Sequence, residues 1–70
     1  MKFNPDALKA FRAAQGLTIE QLAQRAGVTS STIGRAERGS HTPDPNTVYS
    51  IAGALGVSIS DLFEFEETAA

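Results

Sequence analysis

Residues that start helices and residues that stop them alternate along this chain at short, regular intervals, and that punctuation constrains its fold more than any other feature. Asn4 followed by Pro5 opens a segment that ends at Gly16. Thr18 opens the next, which ends at Gly27, and Thr29 opens a third, which ends at Gly39. Asp44 followed by Pro45 opens a fourth, which ends at Gly56, and Ser58 opens a fifth. Each opening residue offers a side-chain oxygen to the unpaired amides of a first helical turn. Proline at the first helical position gives up only an amide that would lack a partner anyway. Glycine takes the left-handed backbone that ends a helix without steric cost.

The apolar spacing agrees with this division. Leu8, Phe11 and Ala14 share a face of the first helix, and Val48, Ile51 and Leu55 share a face of the fourth. Thr18 and Gln21 form a capping box, with Leu17 and Leu22 as its hydrophobic staple. Val28 with Ile33, and Val57 with Leu62, repeat the staple for the third and fifth helices, and Asp61 supplies an acidic third residue to the fifth. Phe63, Glu64, Phe65 and Glu66 then alternate with period two, so the end of the fifth helix is open to unwinding or extending. No other strand signal is convincing. The expectation is an all-α fold of five helices in a single domain spanning residues 1–70.

Composition excludes several classes of function. The chain has 70 residues and no cysteine, which removes disulfides, thiolate metal sites and thiol nucleophiles. A chain this short buries only about 60% of its unfolded surface, leaving no room for an enclosed substrate cavity. The longest nonpolar run, Ile51 to Val57, contains two glycines and is too short to span a membrane. A cytoplasmic chain with no cofactor and no catalytic activity is expected. The net charge of −2 conceals an asymmetry: Lys2, Lys9, Arg12, Arg25, Arg35 and Arg38 all precede Ser40, and no lysine or arginine follows it. A basic half of this kind is often a nucleic-acid face.

Residues 19–38 resemble the helix-turn-helix of the Cro and lambda-repressor-like family, the XRE type. The resemblance rests on Leu22, Ala23 and Ala26 in the second helix, Gly27 in a three-residue turn, and Val28 and Ile33 pinning the next helix. Leu8 to Arg12 before Gly16, Glu37-Arg38-Gly39, and Ile51-Ala52 with Ala54 to Val57 extend it over about residues 7–63.

The resemblance implies a five-helix lambda-repressor-like bundle whose third helix, about residues 30–38, enters the major groove of double-stranded DNA. Helical spacing with Val28, Ile33 and Ala36 inward places Ser30, Ser31, Gly34, Arg35 and Arg38 outward. Arg35 is the expected base reader, since a guanidinium pairs with both acceptors on guanine; a solvated surface arginine is the alternative. Ser30 and Ser31 match base-contacting positions or simply fill a capped first turn. Gly34 either lets the backbone approach a base pair or marks a position that needs no long side chain. Thr29, Arg38, Ser40, His41 and Thr42 are expected at phosphates. His41 lacks the partners for a metal site, and beside Asp44 it lacks a nucleophile for catalysis. Arg12 and Glu37 match family positions that form an internal ion pair, so they are read as structural.

Two departures from the family stand out. Ile19 and Ser30 occupy positions where relatives usually carry a pair of glutamines that brace the third helix on phosphate. Their loss, with the acidic net charge, keeps open an alternative in which the fold serves as a protein-protein interaction module without DNA binding. The DNA-binding reading calls for a homodimer on a near-palindromic site. Phe63 and Phe65 are the candidate interface residues, although Phe65 folding over Phe3 or the first helix is an equal possibility. No membrane or small-molecule partner is implied.

Overall fold

The computed structural model describes residues 2–64. In chain order these form β1 (Lys2–Phe3), α1 (Pro5–Ala14), α2 (Ile19–Ala26), α3 (Ser30–Arg38), α4 (Pro45–Leu55), a single 3-10 turn (Ile59–Leu62) and β2 (Phe63–Glu64). Asn4, Thr18, Thr29 and Asp44 each accept the amide three residues on, at 3.1, 3.0, 3.2 and 2.8 Å. Gln21 completes the box by accepting the Thr18 amide at 2.9 Å. At the other end of α2, Gly27 takes φ 71°, and the Val28 amide turns back to the Ala23 carbonyl at 2.9 Å.

The expected five-helix architecture is corrected to four α-helices among the described residues, with a short strand pair where the all-α reading had none. The fifth element starts as a helix would, the Ser58 amide donating to the Asp61 carboxylate at 3.0 Å, but it closes after one tight turn. The chain then leaves helical geometry because the N-terminal segment competes for its backbone. The Asn4 amide donates to the Leu62 carbonyl at 2.8 Å, and Phe3 pairs antiparallel with Phe63. Their rings meet edge-on, 5.8 Å apart at 85°, an arrangement favoured by the aromatic quadrupole. The period-two alternation was the local signal of this strand; its partner lies some sixty residues away and leaves no local trace.

One core joins all the helices. Leu8, Leu22, Ile33, Val48, Ile51 and Leu62 are fully enclosed, and Phe3, Leu17 and Leu55 close its margin. Ala23, Ala36 and Ala52 are the small buried residues that let helix backbones approach. The α2 helix packs against both α3 and α4, and α1 packs against α3.

Polar bonds complete the attachment of α1. Arg12 donates to both carboxylate oxygens of Glu37 on α3, from Nε at 2.5 Å and from Nη2 at 3.0 Å, and from Nη1 to the Leu17 carbonyl at 2.6 Å. Only 15% of the Arg12 side chain and 6% of Glu37 remain exposed. The bond to Glu37 raises the Arg12 pKa above its ordinary value, outweighing the opposing effect of burial. Gln15 reaches across to the Leu55 carbonyl at 2.6 Å and so ties α1 to the end of α4.

Removing one partner of such a pair strands the other charge in a poorly solvated site. Arg12→Ala is expected to lower unfolding free energy by about 3 kcal/mol in a denaturant titration, and the double variant with Glu37→Ala should lose less than the two single losses added. An unchanged midpoint for Arg12→Ala would refute this. The Asp44 cap supplies a pH signature. The hydrogen bonds from Thr47, side chain before backbone, hold its carboxyl below the ordinary value of 3.8, with His41 adding a smaller pull in the same direction. Because the folded state favours the ionised form, this contribution is present above pH 3.8 and disappears as pH falls through the lowered value. Asp44→Asn keeps a capping oxygen but no charge. Its thermal midpoint should therefore fall less steeply than the parent's as pH drops below 3.8.

Candidate nucleic-acid interface

The α2–α3 pair owes its geometry to a three-residue connection in which every position has a task. Gly27 supplies the left-handed turn, Val28 packs half-buried against the core, and Thr29 caps α3. Leu22 and Ala23 from α2 and Ile33 and Ala36 from α3 fill the interior. Their burial fixes which arc of α3 is left to solvent.

Ser30, Ser31, Arg35 and Arg38 are all exposed on α3, and Thr29 is exposed at its start. The Thr29 hydroxyl accepts the Thr32 amide and lies 2.9 Å from the Thr32 hydroxyl, so it is engaged locally. Ser40 is likewise engaged, its amide and hydroxyl both directed to the Arg35 carbonyl at 3.1 and 3.3 Å, where they close the C-terminal end of α3. His41 and Thr42 are exposed and line a cleft of about 290 Å³ together with Lys2, Asp6 and Glu64. Two carboxylates beside one lysine make that cleft a mixed electrostatic environment.

Gly34 differs from its outward expectation: it is buried. Nη1 of Arg38 lies 3.3 Å from where a Cβ on Gly34 would stand. That nearby group belongs to a side chain four residues along the same helix, a placement that helical spacing alone does not reveal. Arg12 and Glu37 are turned away from this arc and face each other inside the molecule.

Sequence reasoning overlooked an apolar surface on the far side of α4. Tyr49 is 69% exposed and Ile59 is 38% exposed. Ile59 also borders an open, almost wholly apolar groove of about 420 Å³ formed with Thr42, Pro43, Pro45, Val48 and Phe63. The available signal was Tyr49 itself, an aromatic residue lying off the helical face that Val48, Ile51 and Leu55 define. Phe63 borders the same groove but is half-buried and has committed one edge to Phe3. Phe65 lies outside the described residues.

Among the described residues no cluster of His, Asp or Glu is placed to hold a metal ion, and no helix is long and apolar enough to cross a membrane.

Known proteins match both the sequence and the geometry. The helix-turn-helix family model matches residues 8–62. An uncharacterized HTH-type transcriptional regulator of Methanocaldococcus jannaschii is 40% identical over 60 residues, covering 86% of this chain and 91% of that protein. The restriction-modification controller protein C.AhdI of Aeromonas hydrophila superposes with a TM-score of 0.81 at 32% identity, covering 84% of this chain and 89% of that one. SinR of Bacillus subtilis, the master regulator for biofilm formation, solved in complex with DNA, superposes with a TM-score of 0.80 at 28% identity, covering 84% of this chain and 98% of that one. With its capped α2, three-residue turn and buried α3 seam inside the matched segment, the chain belongs to the helix-turn-helix family of Cro and lambda-repressor-like, XRE-type regulators.

Proposed function

We propose that this DNA-binding transcriptional regulator lays α3 in the major groove of duplex DNA, reads bases chiefly with Arg35, and works as a homodimer. One observation carries the reading. The exposed arc of α3 presents Arg35, Arg38 and two serines, while the one carboxylate of that helix, Glu37, is drawn inward by Arg12. A duplex approaching α3 therefore meets two guanidinium groups and no exposed acid from that helix, whatever the net charge of −2 suggests.

The roles divide by chemistry. Arg35 matches the two acceptors of guanine, whereas Ser30 and Ser31 donate or accept and discriminate weakly. Arg38 and the segment Ser40, His41 and Thr42 hold phosphate, as does the N-terminal end of α3 around Thr29, where free amides attract anions. No step of this function is catalytic, and a cytoplasmic location fits it.

The homodimer rests on the apolar surface around Tyr49 and Ile59, together with the few phosphate contacts a single domain offers. A second copy packed there covers both side chains and the neighbouring groove. Two α3 helices set about 34 Å apart then match half-sites one helical turn apart on a near-palindromic operator.

Selection from random DNA tests the reading directly. Arg35→Ala should relax base preference at one position of each half-site by about 1 to 3 kcal/mol. Arg38→Ala should instead weaken binding to all sequences alike and reduce the salt dependence by about one phosphate contact. Identical behaviour of the two variants overturns the division of roles. An absence of binding at low salt supports the interaction-module alternative, because phosphate contacts strengthen as salt falls. Ile59→Asp should shift sedimentation to monomer and weaken binding to a two-half-site duplex while leaving the helical circular dichroism intact. A sedimentation profile identical to the parent refutes the interface.

A further inference from the structure

We infer that Gly34 is a positioning residue: its missing side chain leaves a seat on α3 in which the Arg38 guanidinium rests. The inference deepens the reading of α3 as the DNA-contacting helix and rests on it. By helical angle Gly34 lies on the outward arc with Ser31, Arg35 and Arg38, yet it is buried. Around the place where its Cβ would stand, the sole heavy atom of the described residues within 4 Å, apart from chain neighbours and local helix backbone, is Nη1 of Arg38 at 3.3 Å. Helical side chains lean back over the preceding turn, so residue 38 covers residue 34 by default, provided nothing stands there.

Backbone geometry gives no other reason for this glycine. Gly16, Gly27, Gly39 and Gly56 have positive φ, which L side chains rarely adopt, but Gly34 does not. An interior glycine weakens a helix relative to alanine. Gly53, the other helix-interior glycine without a positive φ, has nothing within 4 Å of its Cβ direction, so contact with a guanidinium is particular to position 34. What Gly34 supplies is space, and Arg38 occupies it.

The seat affects binding in two ways. It carries the Arg38 charge back along α3, beside Ser31 and Arg35, instead of letting it trail beyond the C-terminal end. It also restricts a long, flexible side chain of the interface before DNA arrives, so less freedom is lost on contact. An alanine at 34 meets Nη1 at a distance from which a flexible side chain gives way by a few tenths of an ångström. A longer side chain takes the seat outright.

The test compares Gly34→Ala and Gly34→Gln, each alone and combined with Arg38→Ala. It measures thermal midpoint, affinity for the parent's selected duplex across a salt series, and relaxation of the Arg38 Nε–H group in the free protein. Gly34→Ala should raise the midpoint by roughly 4 to 8 °C, through helix propensity. Gly34→Gln should remain folded but bind about three- to tenfold more weakly, the scale of restraining one long side chain. Its salt dependence should be shallower by about one contact. In the Arg38→Ala background the same glutamine should change affinity little, and in the free protein it should release the restricted motion of Arg38. Equal losses from glutamine with and without Arg38 overturn the inference, because the new side chain then blocks the groove by itself. Unrestricted Arg38 motion in the parent also overturns it, independently of DNA. A parent that binds no duplex fails the reading of α3 and leaves the relaxation measurement to decide the seat.

Discussion

The bond between Arg12 and Glu37 does more than attach one helix to another. It spans the junction of α1, the loop before α2 and the end of α3, because the same guanidinium also donates to the Leu17 carbonyl. An ion pair so little exposed gains much of its attraction only when its geometry is good and other polar atoms find partners, and here each of the three guanidinium nitrogens has an acceptor. Its second effect is on the surface. By drawing the only acid of α3 inward, it leaves the outward arc of that helix with basic and hydroxyl groups. One contact therefore organises the bundle and sets the sign of the interface.

Helix boundaries were legible because they are local events. The amides at the start of a helix need partners within a few residues, and Asn4, Thr18, Thr29 and Asp44 supply them three positions away. The start of the fifth element was legible for the same reason, through Ser58 and Asp61. Its extent was not. Whether the chain continues as a helix after Leu62 is decided by Phe3 and Asn4, which meet it only in the folded molecule. That competition turns one expected helix into a single turn and a strand.

The site shows the same division between near and far. Exposure of Ser30, Ser31, Arg35 and Arg38 follows from helical angle once Ile33 and Ala36 are inward. Burial of Gly34 does not, and the guanidinium found beside it, from an arginine one turn away, has a placement that helical angle leaves open. The apolar surface at Tyr49 and Ile59 is less conspicuous in the sequence than the phenylalanines after Leu62. Phe63 proved to be partly spent on Phe3, while Tyr49, lying off the core face of α4, kept its ring in solvent. Aromatic residues near a chain end attract suspicion as interface candidates, but what decides is whether another part of the same chain reaches them first.

Ala23 has a consequence that reaches beyond its own small volume. It is buried on α2 in the same core to which α3 contributes Ile33 and Ala36, so its small volume helps set how closely the rods around it approach. Dense interiors transmit such displacements instead of absorbing them. A thicker spacer would prise the rods apart and swing the outer end of α3 like a lever about its turn, altering the pitch at which it is aimed. A single exchange in the interior can therefore re-aim this rod without altering one group on its outward arc.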